Sequence, residues 1–307
     1  MKRMELIECV PNFSEGRRPD VIKAIQAEAE DAGVHVLDLH SDSVHNRSVL
    51  TFAGSAPAVI EAAFRCVARA AELIDMRQHQ GEHPRLGATD VVPFIPMGEA
   101  TMARCIELAR QLGARIGLEL GLPVYLYAEA AARPERRWLP FIRRGEYEAL
   151  VTEIGVKPER APDFGPSQIG SAGATAVGAR PFLVAYNVHL LTPQLAVAEA
   201  IARRIRQSSG GFPSVQARAM RTADPGVVQV SMNLLNLEVT PGHVVLEAIN
   251  RLAGEQGVIV LGAELVGLMP MTLATSAAAA PLGLSGLKPS DALEYRLLAR
   301  FLEQDQR

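Results

Sequence analysis

Two hydrophobic periods alternate along this chain, and their order leaves few folds open. Residues 6–13 form a short apolar run that ends in a Pro-Asn turn, as a strand does. Pro19 then stands where a first helical residue would, ahead of Val21, Ile22 and Ile25. Residues 34–39 and 47–52 read as strands, the latter rich in β-formers. Residues 57–74 carry Ile60, Phe64, Val67, Ala71 and Ile74 at steps of four and three, the spacing that puts one apolar stripe on a helix. Residues 91–95 add a fourth strand. The order β-α-β-β-α-β is the ferredoxin-like signature. A helix over 102–120, a strand over 124–127 and a helix over 137–154 follow.

The same order returns after residue 180. Strands are expected at 182–190, 215–220, 227–237 and 258–261. Each of the two helices between them opens on a Thr-Pro pair, Thr192-Pro193 and Thr240-Pro241. The expectation is an α+β chain of two ferredoxin-like βαββαβ subdomains, residues 1–180 and 181–307. A Gly, Pro, Ser and Ala-rich segment, 161–180, reads as the loop or linker between them.

Composition excludes several classes of function. With 31 basic and 34 acidic residues in 307, net charge is −3, and nothing suggests nucleic acid or an anionic membrane as a partner. Small-molecule substrates are the expected partners, and a homodimer is one assembly the sequence permits. Cys9, Cys66 and Cys105 are odd in number and widely spaced, which suits buried thiols better than disulfides or a Cys-based zinc site. Charges occupy the N-terminal stretch where a signal peptide needs an apolar core, so a cytoplasmic protein is expected. The uncharged run between Glu264 and Lys288 is broken by Pro270 and Pro281 and is too weakly apolar for a membrane span.

The densest polar cluster is DMRQHQGEHPRLGATD, residues 75–90, with two histidines, two arginines, one glutamate and two aspartates. A general base near neutral pH is most simply a histidine. His83, fixed between Glu82 and Pro84 with Arg85 beside it, is the candidate. His79 to His83 also fits the H-x-x-E-H pattern of inverted zinc peptidases. That chemistry needs both imidazoles on one helix face, and Gly81 and Pro84 work against a helix there, so a loop without metal is expected. Asp163-Phe164-Gly165 has no kinase context and reads as a turn. Asn12, Asn46 and Arg47, on loops after the first and second strands, are candidates to hydrogen-bond a carboxylate-bearing ligand.

These motifs carry a resemblance. ECVPNFSEG (8–16), NRSVLTFAG (46–54), LIDMRQHQGEHPRLGATDVVPFIP (73–96), PVYLYAEAA (123–131), RRGEYEAL (143–150) and APDFGPS (161–167) resemble the formiminotransferase family. The resemblance extends from residue 5 to about 268, and the long central motif is highly specific. It implies two sheets facing each other with helices outside. It implies transfer of a formimino group from N-formimino-L-glutamate to N5 of tetrahydrofolate, a co-substrate, within histidine degradation and one-carbon metabolism. Formyl transfer between 5-formyltetrahydrofolate and glutamate is the same-fold alternative. His83 falls on the family's catalytic base.

Within that reading Arg47, Arg85 and Arg180 are candidates for the substrate carboxylates, and Glu82 or Asp38 for a carboxylate that keeps the amidine protonated. The folate-binding stretch falls on residues 165–174, including Gly165, Pro166, Ser167, Gly173 and Ala174, with Arg180 beyond it. Asp163 is the candidate partner for the pterin's donors. The chain departs from the family pattern at QIGSAGA (168–174) and at His40, where an acidic residue is expected. A last helix is expected at 291–302, with no cyclodeaminase domain after it.

Overall fold

A computed structural model of the chain describes residues 5–271, together with 274, 275 and 288. The helix expected at 291–302 lies outside the described residues. The chain divides into two compact units, Met1–Pro181 and Phe182–Arg307.

The first unit runs β1 (Glu5–Cys9), β2 (Asn12–Phe13), α1 (Pro19–Asp31), β3 (His35–Asp42), β4 (Arg47–Gly54), α2 (Ala56–Leu73), β5 (Thr89–Gly98) and α3 (Met102–Arg115). A π-helical turn, Ile116–Leu120, leads to β6 (Val124–Ala128), then the short α4 (Leu139–Ile142), α5 (Glu146–Glu153) and β7 (Thr175–Ala179). The second unit runs β8 (Val184–Leu190), α6 (Leu195–Ile205), β9 (Val215–Arg221), β10 (Val228–Leu234), α7 (Gly242–Gly254) and β11 (Val260–Val266).

The strand expected at 6–13 is two strands. Pro11 has no amide hydrogen to give the ladder, yet its carbonyl still accepts from Leu50 N at 3.1 Å, and β2 resumes between the same neighbours. Counting β1 and β2 as one interrupted strand, the sheet order is β3-β4-β1/β2-β5, antiparallel throughout. The second unit repeats it as β9-β10-β8-β11.

Two expectations for the first unit need correction. The segment 161–180 is not all linker: its last residues form β7, which inserts between β5 and β6 with parallel pairing on both sides. A parallel strand buried on both faces shows no alternation to read, and TAVGA is small because Gly178 lies against the Tyr127 ring, 2.5 Å from where a Cβ would sit. The helix expected over 137–154 is broken: α4 stops at Ile142, and Gly145, at a left-handed φ of +73°, is the residue from which α5 starts.

One face of the first sheet packs on α1, α2 and α3. Ile7, Leu50, Phe52 and Phe94 from the strands meet Ile25, Val59, Val67 and Leu108 from the helices, all at 1% exposure or less. Burying each such side chain contributes about 1.5–3 kcal/mol. α4 and α5 cover the β6–β7 end of the opposite face, through Ile142 and Leu150 against Tyr125 and Tyr127. The second unit has its own core, with Val188, Val230 and Leu190 packed on Ile201, Val245 and Ile249. The three cysteines are buried and free, and burial pushes the Cys105 thiol up to about 11. Among the described residues no helix is long and apolar enough to cross a membrane.

Candidate active site

Register brings three polar loops to one end of the first sheet. Phe13, the last residue of β2, pairs with Ser48 near the start of β4 and with Thr89 at the start of β5. Asp42, the last residue of β3, pairs with Arg47. The segments 14–18, 43–46 and 74–88 therefore all leave the sheet at that end, which sequence order did not dictate.

Glycine lets the three loops touch. A Cβ on Gly16 would sit 2.1 Å from the Asp42 carbonyl oxygen, and one on Gly81 would sit 2.3 Å from that of His45. Asn46 joins all three, held at a left-handed φ of +48°. Its Oδ1 accepts from Gly16 N, its Nδ2 donates to the Gln80 carbonyl, and its own carbonyl accepts from His79 Nε2, at 2.9, 2.9 and 3.0 Å.

A small pocket opens where these loops meet, lined by Phe13, Ser14, His45, Asn46, Arg47, His79, His83, Arg85 and Asp90. The pocket is partly open, and its volume is about 10 Å³, room for roughly one water. Such a space suits a one-carbon fragment, and the body of any larger substrate has to lie outside it.

His83 lines this pocket and is half-buried, while its neighbour Glu82 points away and is exposed. His79 is committed. With Nε2 donating to the Asn46 carbonyl, Nδ1 accepts from Arg85 Nε at 3.3 Å. Burial, aided by the Arg85 charge and opposed by the Asn46 hydrogen bond, holds this imidazole below its usual pKa. An imidazole with both nitrogens so engaged has no lone pair for zinc, and among the described residues no cluster of three metal-ligating side chains occurs.

Arg47 is aimed by Asn12, whose Oδ1 accepts from its Nε at 2.9 Å and also from Nη2. Asn12 is itself oriented through Nδ2 to the Val10 carbonyl at 2.9 Å. No carboxylate of the described residues lies within ion-pair distance of Arg47. Burial and the neighbouring Arg143 charge, against the pull of Asp90 and Asp42, bring its pKa down to about 10. It is the pocket's cation most available to an incoming carboxylate. Asp90, 2% exposed, accepts from Leu86 N and is ion-paired with Arg143.

Other candidates fall elsewhere. Arg85 lines the pocket, but its guanidinium is held by Glu146 at 2.7 Å and Glu148 at 2.5 Å, so the carboxylates it was expected to receive from substrate come from α5. Asp38 lies inside edge strand β3, paired with Thr51, and does not reach the pocket. Asp163, the candidate pterin partner, has its Oδ2 taken by the Leu126 amide at 2.7 Å and by the almost fully buried Arg136 at 2.8 Å. Gly165, Pro166 and Ser167 are exposed on the same loop. Gly173 and Ala174 pack by backbone onto residues 86–87, with Ala174 N donating to Leu86 O at 3.1 Å. Arg180 donates its amide to Phe94 O, and its charge opposes the burial that raises the Glu8 carboxyl. None of the stretch 163–174, nor Arg180, lines the pocket.

His45 is not among the candidates singled out from the sequence. It is 7% exposed, its Nδ1 lies 2.6 Å from Asp42 Oδ2, and its Nε2 is buried without a hydrogen-bond partner among the described residues. An orphan of that kind costs about 1–3 kcal/mol. Burial alone would raise the Asp42 carboxyl, but hydrogen bonds from the His45 ring and amide and from the Val44 amide outweigh it and hold it down at about 2. The Asp-x-x-His spacing across a tight turn was the available signal.

On a βαββαβ scaffold, imidazoles and guanidiniums around one small pocket are the side chains that acid–base chemistry on an anionic substrate uses. Residues 6–180 match the formiminotransferase domain, N-terminal subdomain, and residues 185–281 match the formiminotransferase domain. The chain belongs to the formiminotransferase family. It is 45% identical to the glutamate formimidoyltransferase of Thermoplasma acidophilum over 296 residues, 96% of this chain and 98% of that one. It is 44% identical to the glutamate formimidoyltransferase of Streptococcus pyogenes serotype M1 over 268 residues, 87% and 89% of the two chains. Against the formimidoyltransferase-cyclodeaminase of Rattus norvegicus it is 45% identical over 283 residues, 90% of this chain and 52% of that protein.

Proposed function

We propose that this chain is a glutamate formimidoyltransferase that moves the formimino group of N-formimino-L-glutamate to N5 of tetrahydrofolate, releasing L-glutamate. The observation that carries the reading is the placement of His83 in a pocket beside Arg47, a guanidinium without a carboxylate partner among the described residues. Full-length relatives with that name support the substrate pair.

In this mechanism N5 of tetrahydrofolate attacks the amidine carbon, and a tetrahedral intermediate forms. His83 takes the N5 proton. The bond from carbon to the glutamate nitrogen then breaks, its electron pair goes to nitrogen, and nitrogen gains a proton. Arg47, aimed by Asn12, receives a glutamate carboxylate. Asn46 fixes the three loops so that the imidazole and the guanidinium keep their spacing, since a displacement of an ångström costs orders of magnitude in rate.

Turnover of N-formimino-L-glutamate with tetrahydrofolate tests the reading. His83→Ala is expected to lower kcat/KM by at least about a hundredfold with an unchanged unfolding midpoint. A parent protein that instead turns over only 5-formyltetrahydrofolate with glutamate would replace the formimino donor by the formyl one. Full activity in His83→Ala would remove the mechanism.

A further inference from the structure

Three imidazoles line the pocket, and the mechanism above gives a role in proton transfer to only one of them, His83. We propose that His45, oriented by Asp42, is a second catalytic residue of this transfer: the general acid that protonates the departing glutamate nitrogen, while His83 takes the N5 proton. This deepens the formimidoyltransferase reading above and rests on it.

The geometry of the turn is the first support. Asp42 Oδ1 accepts from the amides of Val44 and His45 at 2.8 and 2.9 Å, and its Oδ2 faces His45 Nδ1 at 2.6 Å. A carboxylate so placed fixes the proton on Nδ1 and directs Nε2 to the other side. When the ring carries its second proton, that proton sits on Nε2 and is directed away from Asp42.

The second support is independent of the first. His45 lines the pocket, and its Nε2 is buried with no hydrogen-bond partner among the described residues. Buried polar atoms are nearly always satisfied, and one that is not needs a reason. His79, in the same pocket, has both nitrogens engaged, so the orphan is particular to His45. A substrate nitrogen is the partner the chain does not supply.

The proton count closes. N5–H gives its proton to His83 as the new C–N bond forms. His45 Nε2–H passes to the glutamate nitrogen as the old C–N bond breaks, and the formimino group stays on N5 as an amidinium. Between turnovers the proton gained by His83 replaces the one lost by His45, through solvent. Two groups let both transfers follow the heavy-atom steps without one ring having to reorient.

Asp42, on its own turn, lies against His45, and the charged and titratable groups that line the pocket with it are Arg47 on β4, His79, His83 and Arg85 on the 74–88 loop, and Asp90 on β5. Of these only Asp42 lies against its ring as a hydrogen-bonded carboxylate, so Asp42→Asn is the change that acts on His45 most directly.

The experiment measures kcat and KM against pH for the full chain with N-formimino-L-glutamate and tetrahydrofolate, for the parent, His45→Gln and Asp42→Asn, each checked for an unchanged circular dichroism spectrum. The expected result is a kcat loss of about a hundredfold in His45→Gln, KM values within about twofold, and loss of the alkaline limb. In Asp42→Asn the alkaline limb should move to lower pH, because the imidazolium has lost its carboxylate. A kcat within about fivefold of the parent with an intact alkaline limb overturns the proposal. A rise in KM alone overturns it too, and makes His45 a binding group. A parent inactive with this substrate pair overturns the underlying reading instead, and is told apart from both by the parent's own rate.

Discussion

The two units share one topology and differ at one end of it. In both, the first strand's end, the turn between the second and third strands, and the start of the fourth strand come together. The register shows this at Phe13, Ser48 and Thr89 in one unit, and at Leu190, Val228 and Val260 in the other. In the first unit the helix-to-strand segment at that end spans residues 74–88 and meets its neighbours through Gly81 and Gly87, where an added Cβ would strike backbone at 2.3 Å. In the second unit the matching segment spans only 255–259, and a Cβ on Gly257 would meet nothing within 4 Å. The scaffold therefore does not make a site. Loop length, and glycines that let backbones close on one another, make it.

Several experiments would break or sharpen that contrast. The largest effect is expected from His83→Ala, at least about a hundredfold in kcat/KM by steady-state assay; a smaller loss would move the chemistry away from these loops. Gly81→Ala forces the His45 carbonyl aside, and should lower activity more than about tenfold and cost about 1–3 kcal/mol in urea unfolding. In the second unit Gly226→Ala, on the turn between β9 and β10, meets only the tip of Asp224 at 3.2 Å and should stay within about 0.5 kcal/mol of the parent. Equal effects from the two glycines would erase the distinction. Asn12→Ala frees Arg47 and should raise KM for the glutamate-bearing substrate by about tenfold, since each hydrogen bond to a charged group contributes about 1.5–3 kcal/mol.

The smallest expected effect is on acid stability. Asp42 in the folded chain titrates at about 2, below its ordinary value, so the folded state holds fewer protons there than the unfolded chain. Its contribution is complete above about pH 4 and is lost as pH falls through about 2. Thermal unfolding followed from pH 5 downward should show a shallower fall in Asp42→Asn than in the parent; parallel curves would mean that His45 does not engage this carboxylate in solution.

Much of this was legible without coordinates. Apolar steps of three and four located α2, because helix period is a local property; the Thr-Pro pairs marked where α6 and α7 begin but not their caps, which are Gln194 and Pro241, so both prolines precede the first turn. The crowded segment 75–90 pointed to His83 for a similar reason: a proline-flanked imidazole among many charges is visible in one short window. β7 was not legible. Its small residues answer to Tyr127 and to burial between two parallel neighbours, and neither leaves a periodic trace in five residues. The break at Gly145 was also missed, since a glycine inside a helical pattern reads equally as tolerated or terminal.

The roles of single polar residues lie mostly on the other side of that line. Asp163 and Arg85 have the chemistry of ligand contacts, yet Arg136 and the glutamates of α5 consume their charges. His45 looked ordinary, yet Asp42 and a missing partner single it out. The order of most strands and helices, and the family, followed from the chain itself, because residue type and short spacing determine them. Which carboxylate meets which cation, and which nitrogen is left without a partner, depended on contacts between residues tens of positions apart, and only the folded arrangement decides those.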